Sequence, residues 1–202
     1  MTELRSLLTI DQIQPQTLCA LGTWMRGSLP RTGMSAAVIE VAPGLDIEEY
    51  TDIALKSAEV QAGVLVVERQ FGYLEFHSRS NEAVHSARDA VLAAMGTTAA
   101  AANPPEILAS KVISSIDAMH AFLLNRNSTG SLALGGDSMY VIEMRPAAYA
   151  VLAVNQAEKE ADVRVVDFRM MGATGRAYLT GAESAVRTAA DAATAALTGA
   201  AR

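Results

Sequence analysis

The chain repeats itself, and the repeat decides what it can fold into. Gly27-Ser28-Leu29 returns as Gly130-Ser131-Leu132, and Val38-Ile39-Glu40 with Pro43 returns as Val141-Ile142-Glu143 with Pro146. Lys56, Ala58 and Val60 return as Lys159, Ala161 and Val163, and Gly72 as Gly175, each 103 positions after its counterpart. A register held without a gap through so many elements makes each half one structural unit of about 100 residues. Ala87 and Asp89 return as Ala189 and Asp191, 102 positions on, which carries the repeat through a last helix. Ile10-Asp11 is echoed by Ile116-Asp117.

One half can then be read for both. Leu7, Leu8 and Ile10 predict a strand, matched by Val112 to Ile116. Gly22 to Met34, with Gly27, Pro30 and Gly33, reads as a loop. Ala37 to Val41 is the next strand, ended by Pro43-Gly44. Asp46 with Glu49 three residues on has the form of a capping box, and Ile47, Tyr50, Ala54 and Ala58 then share a helical face. Val64 to Val67 and Tyr73 to Phe76 are two strands of a hairpin, with Glu68-Arg69-Gln70-Phe71-Gly72 between them. The second hairpin runs from Val163 to Phe168, through Met170-Met171-Gly172-Ala173-Thr174-Gly175, to Ala177 and Leu179. Its tip has no acid and more glycine, so one motif serves two unequal tips. Ser80 or Asn81 caps a helix striped by Val84, Ala87, Val91 and Met95. Each half is thus strand, loop, strand, helix, strand, turn, strand, helix. That is an α+β sandwich, with domains at residues 1–98 and 104–202 and GTTAAAANPP (Gly96–Pro105) as the spacer.

Composition narrows the function. Of 202 residues 50% are hydrophobic but only 5% aromatic, so small residues carry the apolar content and part of it is expected against other subunits. A net charge of -6 with no basic cluster argues against nucleic acid. The single Cys19 excludes an internal disulfide and reads as a small buried hydrophobe. No apolar run reaches the roughly 20 residues of a membrane span, and no signal-peptide core follows Glu3 and Arg5.

Two copies of Lys-x-Ala-x-Val feeding a strand and its loop, with Glu68-Arg69 at one loop, resemble the bacterial microcompartment shell proteins. The likeness is to the tandem-domain class with circularly permuted domains, because the strand that closes the ordinary domain stands at the front of each half. The resemblance spans nearly the whole chain. It implies two ferredoxin-like α/β sandwiches, three chains forming a pseudohexameric trimer, and tiles joined edge to edge with other shell proteins. It also implies a central pore for small metabolites, seen open or closed, and rings that can stack as a dimer of trimers. By carry-over, Glu68 and Arg69 are the gate, Gln70, Phe71 and Gly72 its frame with Gly72 as hinge, and Met171, Gly172, Ala173, Thr174 and Gly175 the alternating loop. Lys56 and Lys159 match the family's edge lysine at the seam between tiles.

The residues alone also admit plainer roles. Glu68 and Arg69 would serve as solvated turn charges, and the two lysines oppose a helix dipole wherever they lie. His77, His85 and His120 lack metal-ligand spacing and read as surface or hydrogen-bonded histidines. Asp11, Glu40, Asp117 and Glu143 recur in both halves, which favours structural duty over catalysis. Gly172-Ala173-Thr174-Gly175 is not a phosphate loop, since no Gly-Lys-Ser/Thr follows. The sequence therefore points to a non-enzymatic, cofactor-free shell tile in the cytoplasm. The alternative is a duplicated ferredoxin-like ligand-binding regulatory module. No nucleophile-base pair or metal set favours an enzyme.

Overall fold

The computed structural model describes residues 2–200. In the first half the order is β1 (Glu3–Ile10), α1 (Pro15–Gly22), β2 (Ser35–Ala42), α2 (Ile47–Ser57), β3 (Gln61–Glu68), β4 (Phe71–Ser78) and α3 (Asn81–Met95). The second half runs β5 (Glu106–Ile113), α4 (Ala118–Asn125), β6 (Ser138–Arg145), α5 (Tyr149–Glu160), β7 (Arg164–Arg169), β8 (Gly175–Gly181) and α6 (Glu183–Ala200). Two compact units result. Unit 1 holds the chain up to Ile13 together with Trp24–Asn103; unit 2 holds Gln14–Thr23 together with the chain from Pro104.

Unit 1 is a four-stranded antiparallel sheet in the order β1-β2-β4-β3, with α2 and α3 on one face. The central strand SAAVIEVA has seven of its eight residues buried, so both of its faces are covered. Ile39, Val41, Leu74 and Phe76 meet Ile47, Ala54, Val84, Ala87 and Val91 in the core. Alanine at 54 and 87 lets the helices lie close to the sheet and to each other. At the start of α3, the Ser80 hydroxyl accepts the Ala83 N–H at 3.1 Å; at its end Gly96 takes φ +65°, the left-handed stop that glycine adopts without cost.

Unit 2 repeats this sheet as β5-β6-β8-β7. The repeat extends to irregularities: bulges at Leu4/Ser6 and Ala62/Val64 recur at Ile107/Ala109 and Val165/Asp167, all 103 positions apart. The helix α6 buries Val186, Ala189, Ala193 and Leu197.

Four sequence expectations change. An eight-residue helix, α1 or α4, stands between the first strand and the loop of each half, where the sequence predicted none. The strand β5 ends at Ile113, and Ile116 corresponds to Ile13 instead of Ile10. Both isoleucines receive the N–H of a positive-φ glycine, Gly33 or Gly136, which fixes the correspondence. Asp46 does not cap α2 through its side chain, because a 3-10 turn over Gly44–Asp46 precedes the helix and the carboxylate accepts the Thr2 hydroxyl instead. Cys19 is exposed, since Thr17, Ala20 and Leu21 occupy the buried face of α1. The spacer contains a 3-10 turn, Ala99–Ala101, and Asn103 is tied to β1 by its N–H to the Arg5 carbonyl and its amide to Glu3.

Candidate pore loops and assembly surfaces

The hairpin β3–β4 closes through a two-residue turn, Arg69-Gln70, with Glu68 and Phe71 paired at its base. Arg69 takes φ +56°, a conformation non-glycine residues seldom adopt, and all of Glu68, Arg69 and Gln70 are exposed. Arg69 Nε lies 3.6 Å from Glu68 Oε1, with the arginine side chain 90% exposed. Such a pair contributes little to stability, about 0–1 kcal/mol, so the turn presents two exposed, weakly paired opposite charges at the end of the hairpin.

Below the tip the support is firm. The Arg5 guanidinium lies over the Phe71 ring, 3.8 Å from its centroid, and its Nε donates to the buried Glu40 carboxylate at 2.8 Å. The Ser6 and Tyr73 hydroxyls also donate to Glu40, both at 3.4 Å. One residue of β1 thus steadies both the ring beside the charged turn and a buried acid. Sequence reading missed Arg5 because the bulge at Leu4/Ser6 shifts the strand's alternation.

Gly72 is not a hinge. It lies in β4 between Val41 and Val67, and a Cβ would stand 2.2 Å from the Gly44 carbonyl oxygen. Glycine is there because another backbone passes close. Gly175 repeats the arrangement against the Ala147 carbonyl, at 2.3 Å.

The second tip is a five-residue loop, Met170 to Thr174, between β7 and β8. Met170 is buried, Gly172 takes φ +111°, and only Ala173 is fully exposed among Met171, Gly172, Ala173 and Thr174. The Thr174 hydroxyl donates to Glu143 Oε1 at 2.7 Å, and Arg176 Nε is 4.0 Å from the same oxygen. These residues stand over a cavity of about 170 Å³ on the outer face of the sheet, lined by Lys111, Val141, Glu143, Arg176 and Tyr178. In unit 1 the corresponding positions are Leu8, Val38, Glu40, Tyr73 and Glu75, all buried.

Glu75 forms a second buried polar site, also unforeseen. Its Oε1 is 2.9 Å from His77 Nδ1, and its Oε2 accepts the Gly63 N–H at 3.1 Å. Burial raises its pKa above the ordinary 4.5, against the opposing pull of His77 and the backbone N–H donors. His77 is therefore a hydrogen-bonded core histidine. Among the described residues no group of His, Cys, Asp and Glu could hold a metal ion, and no helix is long and apolar enough to cross a membrane.

Lys56 stands in the last turn of α2 as an exposed ion pair with Asp52, and Lys159 is exposed in the last turn of α5.

Residues 4–101 match the CsoS1D N-terminal domain, and residues 138–201 match the BMC domain. Carboxysome shell protein CcmP of Synechococcus elongatus is 40% identical over 195 residues, covering 96% of this chain and 92% of its own. The chain belongs to the bacterial microcompartment shell proteins. Carboxysome shell protein CsoS1D of Prochlorococcus marinus is 40% identical over 95% of this shell protein and 75% of its own length. Among solved structures, the fused permuted hexameric shell protein MSM0275 from the RMM microcompartment has 62% identity and a TM-score of 0.96, covering 99% of this chain and 98% of its own. The double ringed trimeric shell protein MSM0271 from the same microcompartment has 40% identity and a TM-score of 0.94, covering 98% of this chain and 97% of its own. The protein is a structural component of a microcompartment shell and not an enzyme, and its tandem domains are of the permuted type. Membership also decides against the duplicated regulatory module.

Proposed function

We propose that this shell protein forms a homotrimeric, pseudohexagonal tile with a gated central pore, each half of the chain (residues 1–98 and 104–202) supplying one of six corners. In this reading Glu68 to Gly72 alternate around the axis with Met171 to Gly175, while Lys56 and Lys159 lie along seams with other shell proteins. The observation that carries it is the contrast at the β3–β4 hairpin: an exposed, weakly paired Glu68-Arg69 turn on a base packed by Arg5 and by the close backbone approach at Gly72. A gate needs such a contrast, because the moving part must be weakly held and its frame must not yield. The relatives described as fused permuted hexameric and as double ringed trimeric support the ring, and the latter makes face-to-face stacking a defined alternative.

Pairing of Glu68 with Arg69 between neighbouring copies closes the pore for bulky metabolites, and loss of those pairs opens it. Three such contacts at roughly 0.2–1 kcal/mol each leave both states accessible. Cryo-EM of the assembled protein tests this directly. Arg69→Ala should raise the open fraction and make the pore more negative; Glu68→Gln should also favour opening while making it more positive. High salt should act in the same direction on the parent protein. Finding Glu68 and Arg69 remote from the threefold axis in every state would end the gate.

A further inference from the structure

The outer face of the sheet is hollow in unit 2 at a place where unit 1 is filled. The strands β5, β6 and β8 lie side by side there, and their register sets Lys111 beside Val141 and Tyr178, with Ala109, Glu143 and Arg176 in the next row towards the loop. These residues line the cavity of about 170 Å³ beneath Thr174. At about 30 Å³ per molecule it has room for roughly five or six waters, or for one ion of similar bulk. In unit 1 the matching residues Leu8, Val38, Glu40, Tyr73 and Glu75 are all buried, and none is a cation.

The lining gathers donors without acceptors to match. Among the described residues the Lys111 ammonium has no ion-pair or hydrogen-bond partner, and neither has the Tyr178 hydroxyl. The one acid of the lining is already engaged. Glu143 Oε1 accepts the Thr174 hydroxyl at 2.7 Å, and Arg176 Nε stays 4.0 Å from that same oxygen, beyond hydrogen-bond reach. Two cations and one carboxylate leave the lining with a net charge of +1.

That arrangement suits an oxyanion. Lys111 and Arg176 stand on β5 and β8, two strands apart and two residues out of line, about 12 Å between backbones, so two long side chains converge on an ion seated over Val141. A guanidinium offers paired N–H donors that match two oxygens of a carboxylate or phosphate, and an ammonium adds a point charge. The Tyr178 ring is held by packing against Ile116, Ala121 and Met139, which fixes where its hydroxyl lies. Glu143 limits the charge: beside it a dianion meets twice the repulsion of a monoanion.

We propose that the cavity beneath the Met170–Thr174 loop is a binding site for a small, singly charged oxyanion, a short-chain carboxylate or monobasic phosphate, held between Lys111 and Arg176 with the Tyr178 hydroxyl as a further donor. The binding needs only unit 2. Its bearing on transport, through the loop that Thr174 ties to Glu143, rests on the pore reading above.

The test is isothermal titration calorimetry of the full chain at low ionic strength and mildly acidic pH, where phosphate is mainly monobasic, with sodium glycolate, phosphate and sulfate as probes. Glycolate or phosphate should bind once per chain, and sulfate more weakly than either. Lys111→Met and Arg176→Leu should each weaken binding about tenfold, the loss expected for one charged donor. Glu143→Gln should tighten binding and narrow the gap to sulfate. Arg31→Met removes an exposed cation of unit 1 and should change nothing. Should Arg176→Leu fail to fold, the exposed Lys111 decides. Binding of glycolate alone, or of phosphate alone, supports the site and fixes which oxyanion it takes. No saturable binding of either, or binding that Lys111→Met and Arg31→Met weaken equally, overturns it and leaves the gate at Glu68 and Arg69 standing.

Discussion

Replacing Gly72 with alanine distinguishes a glycine that packs from one that bends. An added Cβ would meet the Gly44 carbonyl oxygen at 2.2 Å and Ile47 Cβ at 2.7 Å. The first obstacle is backbone and the second is a fully buried β-branched side chain, so neither can step aside cheaply. Overpacking a well-ordered core costs about 1–3 kcal/mol, and two such contacts place this substitution near 3 kcal/mol. For a chain of this length each kcal/mol lowers Tm by roughly 2–4 °C, so a loss of roughly 6–12 °C is expected by scanning calorimetry. Gly175→Ala should behave alike, since its Cβ would lie 2.3 Å from the Ala147 carbonyl oxygen. Gly199→Ala, in α6 with open space around it, is the control and should not lower Tm. Were Gly72 only a hinge, alanine would restrict the unfolded chain and raise stability by about 0.4–1 kcal/mol. A Gly72→Ala protein melting within roughly 2 °C of the parent would refute the close-approach argument.

Arg5→Leu leaves the buried Glu40 uncompensated and should cost about 3 kcal/mol in urea unfolding; adding Glu40→Gln should recover more than half, and strictly additive losses would show that the pair is not coupled. Glu75 binds its proton more tightly when folded, so its contribution is fully present below its ordinary 4.5 and is lost as pH rises through the raised folded pKa. Stability of the parent relative to Glu75→Gln should therefore fall from about pH 4.5 upward, and a parallel pair of curves would contradict the burial argument. Lys56→Ala and Lys159→Ala should spare the trimer, because an exposed lysine contributes about 0–1 kcal/mol, yet should abolish or reorganise extended sheets seen by electron microscopy.

Which parts were legible in the sequence follows from which forces act locally. Strands such as SAAVIEVA, the stripe Val84, Ala87, Val91 and the turn at Glu68-Arg69 announce themselves through periodicity and turn chemistry. The helix α1 does not. It is eight residues long and uncapped by its own neighbours, and its N–H donors are satisfied by Glu158, more than 130 positions away. Its apparently apolar Cys19 then faces outward because tertiary packing chose the other face. The pair Glu75–His77 was hidden for a similar reason: alternation along β4 places polar residues on a face that burial makes interior. Gly72 was legible as necessary but not as to why, since the backbone it touches comes from Gly44.

Fusing two halves lets positions that identical subunits would keep alike diverge, and the divergence falls where symmetry would be costly. Six identical Glu-Arg tips around one axis would crowd like charges; at about 8 Å and an effective dielectric of about 40, each like pair costs about 1 kcal/mol. In the proposed ring, a two-residue charged turn alternates with the longer, uncharged Met170–Thr174 loop, so every Glu68-Arg69 pair has neutral neighbours. Only Gly72 and Gly175 stay alike, because both tips rest on the same close backbone approach. The helices diverge as well: α1 is capped by Glu158 of α5, whereas α4 is capped by its own Asp117.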